Sequence, residues 1–182
     1  MDMRTALGAT IMAATLVGLP AAPATRGSEA APERRAMVVY DAAPSAEALI
    51  DSFLQALRDR NRDALRRLRV TESEYRGIIM PGHVAVGQQL KEYREDISKY
   101  AWDTLNTKSA HWEMALLSEF GGRAYEVKEI SYAEGVQRYA TYTGYRQLRL
   151  MLRSGEGSDV ELATGSIAEI DGQFKFVSYV RD

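Results

Sequence analysis

Apolar residues between positions 45 and 70 recur every three or four residues, the spacing that places them on one face of a helix. The first stripe covers residues 46–57 and follows Ser45, a residue type that often caps helix N-termini. The polar run 61–63 interrupts the pattern, and residues 64–68 resume it. The sequence therefore predicts two consecutive amphipathic helices, each with one buried face.

A capping box predicts the next helix. Thr71 and Glu74 have the spacing at which the threonine hydroxyl and the glutamate carboxylate bond each other's backbone amides. We expect this short helix to end at Pro81-Gly82. The apolar stripe then continues over residues 86–120, which predicts a long helix, either continuous or broken near Asn106.

After Gly122 the pattern changes to a period of two, and Tyr, Val, Ile and Thr become frequent, as in strands. Asp171-Gly172 is the strongest short-range hairpin signal in the chain. Helices followed by strands are typical of the α+β class, so we predict N-terminal helices packed on one face of a curved antiparallel sheet of about four to six strands. The predicted strands lie within residues 123–135, 139–155, 158–170 and 173–182.

Pairing outward from Asp171-Gly172 sorts the closing hairpin into two faces. Ile167 comes opposite Phe176, and Gly165 comes opposite Ser178. These four residues share the more apolar face, which we predict to be the inner wall of the fold.

The small pair Gly165 and Ser178 has two interpretations. It leaves room for a ligand beside Phe176, or the space is taken by a bulge or by a helix side chain such as Trp102 or Trp112. We favour the filled interior, because protein interiors are close-packed.

Composition narrows the classes of function. The chain has 182 residues and a net charge of −2, which gives no long-range attraction for nucleic acid. It has no cysteine and two histidines, which excludes disulfides and cysteine-ligated metals. We predict no metal site and no cofactor.

The first 24 residues resemble a secretory signal peptide, with an apolar, Ala-rich run and a small-residue cleavage site at Ala22-Pro23-Ala24. Residues 25–44 mix Pro, Ala and charge without a period, which predicts a linker. Residues 45–182 then form a single domain, exported to the periplasm or secreted, with no membrane anchor after processing.

Candidate chemistry is sparse. Tyr139, Tyr142 and Tyr145 lie close together and could offer hydroxyls in a pocket, although Tyr is also an ordinary strand residue. His111, beside Trp112, is the best single acid–base candidate, although no spacing gives it a carboxylate partner. The ligand-binding candidates are Trp102, Trp112, Tyr139, Gly165, Phe176 and Ser178.

Six arginines fall within residues 58–69. Arginine can clamp phosphate or carboxylate, but a charge run at helical spacing is usually a solvated face. We favour the solvated face.

Two segments resemble a known family. The helix pair at residues 45–68 and the hairpin at residues 165–182 are similar to the first and last elements of the nuclear transport factor 2-like superfamily, which includes SnoaL-like and ketosteroid isomerase-like proteins. The resemblance implies a cystatin-like cone, often with a pocket, and homodimers through the sheet face. The catalytic residues of the isomerases have no counterpart here, so none is carried over.

Fold alone does not give function. We expect non-enzymatic binding of a small hydrophobic or aromatic ligand, or of a protein partner. The alternative is a lyase or isomerase acting on a small hydrophobic molecule in the cone pocket, with His111, Tyr142 or Tyr145 near the chemistry.

Overall fold

The computed structural model describes residues 39–181 of the chain. Within this range, helices occupy the first half of the fold and strands the second. The predicted signal peptide and most of the predicted linker lie outside these residues. The helices are α1 (Ala46–Arg58), α2 (Arg62–Arg67), α3 (Glu72–Glu74), α4 (Met80–Gly82) and α5 (Glu95–Phe120), with a π-helical turn at Tyr75–Ile79 between α3 and α4.

The first three helices begin at side-chain caps. Ser45 Oγ accepts a hydrogen bond from the Ala48 amide at 3.1 Å, and Thr71 with Glu74 forms the complete capping box. Asn61 caps α2 through its side-chain oxygen. The predictions at Ser45 and at Thr71 are confirmed, because a cap depends on residues three positions apart.

The long helix begins later than its apolar stripe. Residues 83–94 form an irregular connection, and α5 starts at Glu95 and continues without a break to Phe120. The prediction of helix from residue 86 is wrong, because the backbone of this stretch bonds outside a helical pattern: Lys91 N donates to Pro81 O at 3.1 Å, ten residues back along the chain.

Within the described residues, seven strands form two antiparallel sheets, which confirms the α+β class. One sheet has the order β1-β4-β5 and the other β2-β3-β6-β7. The strands are β1 (Tyr125–Tyr132), β2 (Val136–Arg138), β3 (Thr143–Tyr145), β4 (Leu148–Ser154), β5 (Asp159–Ala163), β6 (Ile167–Ile170) and β7 (Gln173–Phe176).

Backbone hydrogen bonds join the two sheets where the chain bends. Leu148 N donates to Gly165 O at 3.1 Å, and Thr164 N donates to Leu148 O at 2.9 Å. Gln147 has φ of 56°, which turns the chain between β3 and β4. The sheets therefore meet as a strongly bent surface.

Apolar residues cover both faces of β6. Ile167 packs into the main core, whereas its neighbour Ala168 packs into a second cluster that includes Ile79 and Tyr142. The main core gathers fully buried side chains of α1, α2 and the strands, among them Leu49, Phe53, Leu57, Leu65, Leu148, Leu150, Leu152, Leu162 and Phe176.

The closing hairpin has the predicted register, with Ile170 opposite Gln173 and Ile167 opposite Phe176. The β7 strand stops at Phe176, although the pattern predicted strand to the end of the chain. Beyond it the chain turns inward and buries Tyr179 completely, and the Tyr179 hydroxyl donates to Leu65 O at 2.7 Å. Burial of this aromatic ring outweighs further strand pairing.

Candidate functional site

A pocket of about 330 Å³ opens between the π-helical turn, the irregular connection and the strands β3 and β6. Its wall is mainly aromatic and aliphatic, with a few polar side chains, a composition typical of small-molecule sites. The lining residues with polar or ionisable side chains include Tyr75, His83, Tyr139, Tyr142, Arg146 and Ser166.

Gly82 brings His83 to this pocket. A Cβ at Gly82 would lie 2.6 Å from Thr141 Cβ, so only glycine allows the loop before β3 to come this close. The contact is held by Thr141 Oγ1, which donates to Ile78 O at 2.8 Å, and by Ala140 N, which donates to Gly82 O at 3.2 Å. His83 therefore faces the two tyrosines on either side of Ala140 and Thr141.

Three rings stack at the pocket wall. The ring centroids of His83 and Tyr139 are 4.4 Å apart, and those of Tyr139 and Tyr142 are 4.7 Å apart, with planes tilted by 25° and 23°. Tyr139 and Tyr142 are buried. The stack restrains the imidazole while leaving one of its sides exposed.

His83 Nδ1 and the Tyr142 hydroxyl form a hydrogen bond of 2.7 Å. Burial, followed by the positive charges of Arg146 and Lys91, lowers the pKa of His83, so the imidazole is neutral at pH 7. Burial, with Tyr139 nearby, strongly raises the pKa of Tyr142, so its hydroxyl keeps its proton.

This pair can exist in two proton arrangements. If Tyr142 donates to Nδ1, the other imidazole nitrogen carries a proton and donates. If Nδ1 carries the proton, Nε2 becomes an acceptor and the Tyr142 proton is free to be donated. The pair thus offers a donor in either form and a proton acceptor in one.

Three other polar side chains of the pocket are already engaged. The Tyr139 hydroxyl donates to Gln137 Oε1 at 3.0 Å, and Arg146 bonds Glu134 and Gln137. Ser166 Oγ accepts from the Gln147 amide at 3.1 Å. Among these hydrogen-bonded groups, the His83–Tyr142 pair is the best placed to recognise a ligand.

Of the three tyrosines singled out from sequence, two meet in the pocket and one does not line it. The Tyr145 hydroxyl donates to Glu169 Oε2 at 2.8 Å, and this hydrogen bond, more than burial, raises the pKa of Tyr145 to about 12. Tyr145 packs against Tyr132 and Phe174 and does not line the pocket.

His111 and the two tryptophans lie elsewhere. His111 is exposed on α5 and contacts only the edge of Trp112 among aromatic rings. Trp112 packs against the main core beneath Arg181, whose guanidinium carbon is 4.5 Å from the ring centroid. Trp102 is half-buried beside Tyr75 and lines a different cavity.

The space at Gly165 is filled by backbone. A Cβ at Gly165 would overlap Ser178 O and lie 2.8 Å from the Ser178 carbonyl carbon and 2.9 Å from Val180 O. Ser178 is buried, and Phe176 belongs to the main core. The expectation of a filled interior agrees with this packing, but main chain rather than a tryptophan occupies the space.

Sequence reasoning missed His83 as a site residue. Its partner Tyr142 is 59 residues away in sequence, and no local pattern pairs the two. The one local signal is Gly82. Its requirement for glycine comes from close packing against Thr141, which the tertiary structure alone shows.

Among residues 39–181, no three His, Asp or Glu side chains are grouped so as to hold a metal ion. None of the helices in this part of the chain is long and apolar enough to cross a membrane.

No protein-family model, no curated protein and no solved structure matches the chain.

Proposed function

We propose that the protein is an exported binding domain of the nuclear transport factor 2-like type, in which the pocket at His83 holds a small hydrophobic or aromatic molecule. The observation that carries this proposal is the His83–Tyr142 hydrogen bond of 2.7 Å at the wall of an otherwise mostly apolar pocket. Export and a homodimer through the sheet face rest on the sequence alone.

The ligand that fits is small and flat, with one hydrogen-bonding group. A volume of about 330 Å³ is at the lower end of the range for small-molecule sites. Tyrosine rings offer stacking surfaces, and the His83–Tyr142 pair offers the polar contact that orients the ligand. Arg146 and Lys91 both disfavour positive charge at His83, so an electron-rich oxygen suits this wall better than a cation.

Naphthol fluorescence tests the binding proposal, with naphthalene as the probe that lacks the hydroxyl. We expect naphthol to bind more tightly than naphthalene by about tenfold, the value of one hydrogen bond in a buried site. Tyr142→Phe keeps the ring and should remove this difference. Tyr145→Phe makes the same chemical change outside the pocket and should leave it. Equal affinities for both probes in the unchanged protein would contradict the proposal.

A second candidate is proton transfer, as in an isomerase or lyase. It is favoured by the opposite shifts in the pKa of His83 and of Tyr142, which prepare a neutral base beside a hydroxyl that stays protonated. His83 Nε2 would take a proton from a carbon next to a carbonyl, Tyr142 would donate a hydrogen bond to the enolate oxygen, and His83 would return the proton.

Acetophenone in heavy water separates the two candidates. Catalysis would incorporate deuterium into its methyl group at a rate that His83→Gln abolishes. Binding without incorporation would leave the binding proposal and reject catalysis.

A further inference from the structure

A second cavity, of about 560 Å³, shares no lining residue with the His83 pocket. Its charged lining residues comprise four basic and two acidic side chains: Arg66, Arg67, Arg69, Lys175, Asp41 and Glu113. Lys175 is already balanced by a buried ion pair with Glu74. The remaining arginines are the unusual feature of this cavity.

Arg69 is buried, with a side chain that is 3% exposed. Its guanidinium carbon lies 5.9 Å from the ring centroids of both Trp102 and Tyr179. Nη1 donates to Asn106 Oδ1 and to Glu113 Oε1, each at 3.3 Å. The aromatic rings and these two acceptors hold the guanidinium in one orientation.

The other two nitrogens of Arg69, Nε and Nη2, have no hydrogen-bond partner among the described residues. Nε and Nη2 lie on the same edge of the planar guanidinium, the edge that pairs with the two oxygens of a carboxylate or phosphate. Buried donors on a charged group are costly when unpaired. An oxyanion on this edge would satisfy both at once.

The local charge also favours an anion. Glu113, itself 1% exposed, contacts Arg62, Arg66 and Arg69, and Arg66 also pairs with the exposed Asp63 at 3.7 Å. Three positive charges therefore face two carboxylates, of which only Glu113 is buried, and positive charge remains in excess. Arg66 and Arg67 are exposed, so their charge can also attract an anion from solution.

We propose that this second cavity binds a small organic anion through its carboxylate or phosphate group, which pairs with the Nε–Nη2 edge of Arg69 beside the Trp102 ring. Since both nitrogens are buried, part of the cavity wall moves when the anion enters. The proposal does not depend on the function of the His83 pocket.

The unmutated protein provides the first test. Benzoate and inorganic phosphate are titrated at constant ionic strength while the Nε–Hε resonances of the arginines are followed by NMR. We expect the Arg69 resonance to shift with one or both anions, and not with benzamide, the neutral counterpart of benzoate. A shift with phosphate alone identifies a phosphate ligand, and a shift with benzoate alone a carboxylate. No shift of this resonance with either anion overturns the proposal.

Three variants test the contact by calorimetry with the anion that binds. Arg69→Lys keeps the charge but loses the two-donor edge and should weaken binding by about tenfold or more. Arg67→Gln should weaken it less, by removing one exposed charge. Arg149→Gln makes the same charge change on β4, outside the cavity, and should leave the affinity unchanged. Equal weakening by Arg67→Gln and Arg149→Gln would indicate non-specific attraction and overturn the site.

Discussion

Lys175 Nζ and Glu74 Oε2 lie 2.9 Å apart in the interior, with side chains that are 2% and 4% exposed. The same carboxylate accepts hydrogen bonds from the Thr71 and Tyr40 amides, and Lys175 also donates to Tyr40 O. One buried pair thus joins the capping box of α3, the segment before α1 and the last strand. Its charges are tolerated because each has several partners.

Glu74→Gln should destabilise the fold by about 3–5 kcal/mol, because it leaves the Lys175 ammonium buried without its counter-charge. Urea unfolding followed by circular dichroism measures the change. Glu72→Gln, in the same helix, removes an exposed pair with Arg76 and should cost about 1 kcal/mol or less. Adding Lys175→Met to Glu74→Gln should recover part of the loss. Similar losses for the two single variants would contradict the special role of the buried pair.

Acid should weaken the His83 site. The folded pKa of His83 is lowered below its ordinary value of 6.5, so the unfolded chain binds the proton more readily. The contribution of neutral His83 to stability is therefore complete above pH 6.5 and is lost as pH falls through the lowered folded pKa. An NMR titration of the His83 ring protons should show its midpoint below pH 6.5.

The Arg146→Gln variant tests one cause of this lowered pKa, because it removes a positive charge that disfavours the His83 imidazolium. The midpoint should rise towards 6.5 but not reach it, since burial is the larger cause of the shift. A midpoint that does not move would show that Arg146 has no influence on His83.

Gly165→Ala should destabilise the protein by about 1–3 kcal/mol or more, because the new Cβ meets the backbone of Ser178 and Val180, which cannot move without disturbing Tyr179. Gly155→Ala is the control, since a Cβ there meets no atom within 4 Å. Chemical denaturation of both variants should show a loss at Gly165 alone. Equal stability of the two would mean that residues 178–180 are loosely held.

Gly82→Ala should disrupt the His83 pocket. Its Cβ would overlap Thr141, so α4 and the loop before β3 must separate, and the His83–Tyr142 hydrogen bond should lengthen or break. We expect weaker naphthol binding and a loss of about 1–3 kcal/mol in stability. Gly77→Ala lies in the adjoining π-helical turn, where a Cβ meets nothing within 4 Å, and should change neither quantity. Unaltered naphthol binding by Gly82→Ala would argue against this placement of His83.

Features that depend on neighbouring residues could be predicted from the amino-acid sequence. The structure contains the predicted cap at Ser45, the predicted capping box of Thr71 and Glu74, and the predicted register of the Asp171-Gly172 hairpin. These predictions hold because caps and tight turns are encoded within about four residues. The order of helices before strands was sufficient for the α+β class.

Tertiary structure alone decided where polar and aromatic side chains meet. Lys175 and Tyr179 fall on the face of the hairpin that the pattern treats as outer, yet both are buried, because Glu74 and Leu65 supply partners from distant segments. The irregular stretch before α5 is likewise set by a non-local contact, the hydrogen bond from Lys91 N to Pro81 O. His83 meets Tyr142 for the same reason, since a contact across 59 residues depends on packing that no local pattern contains.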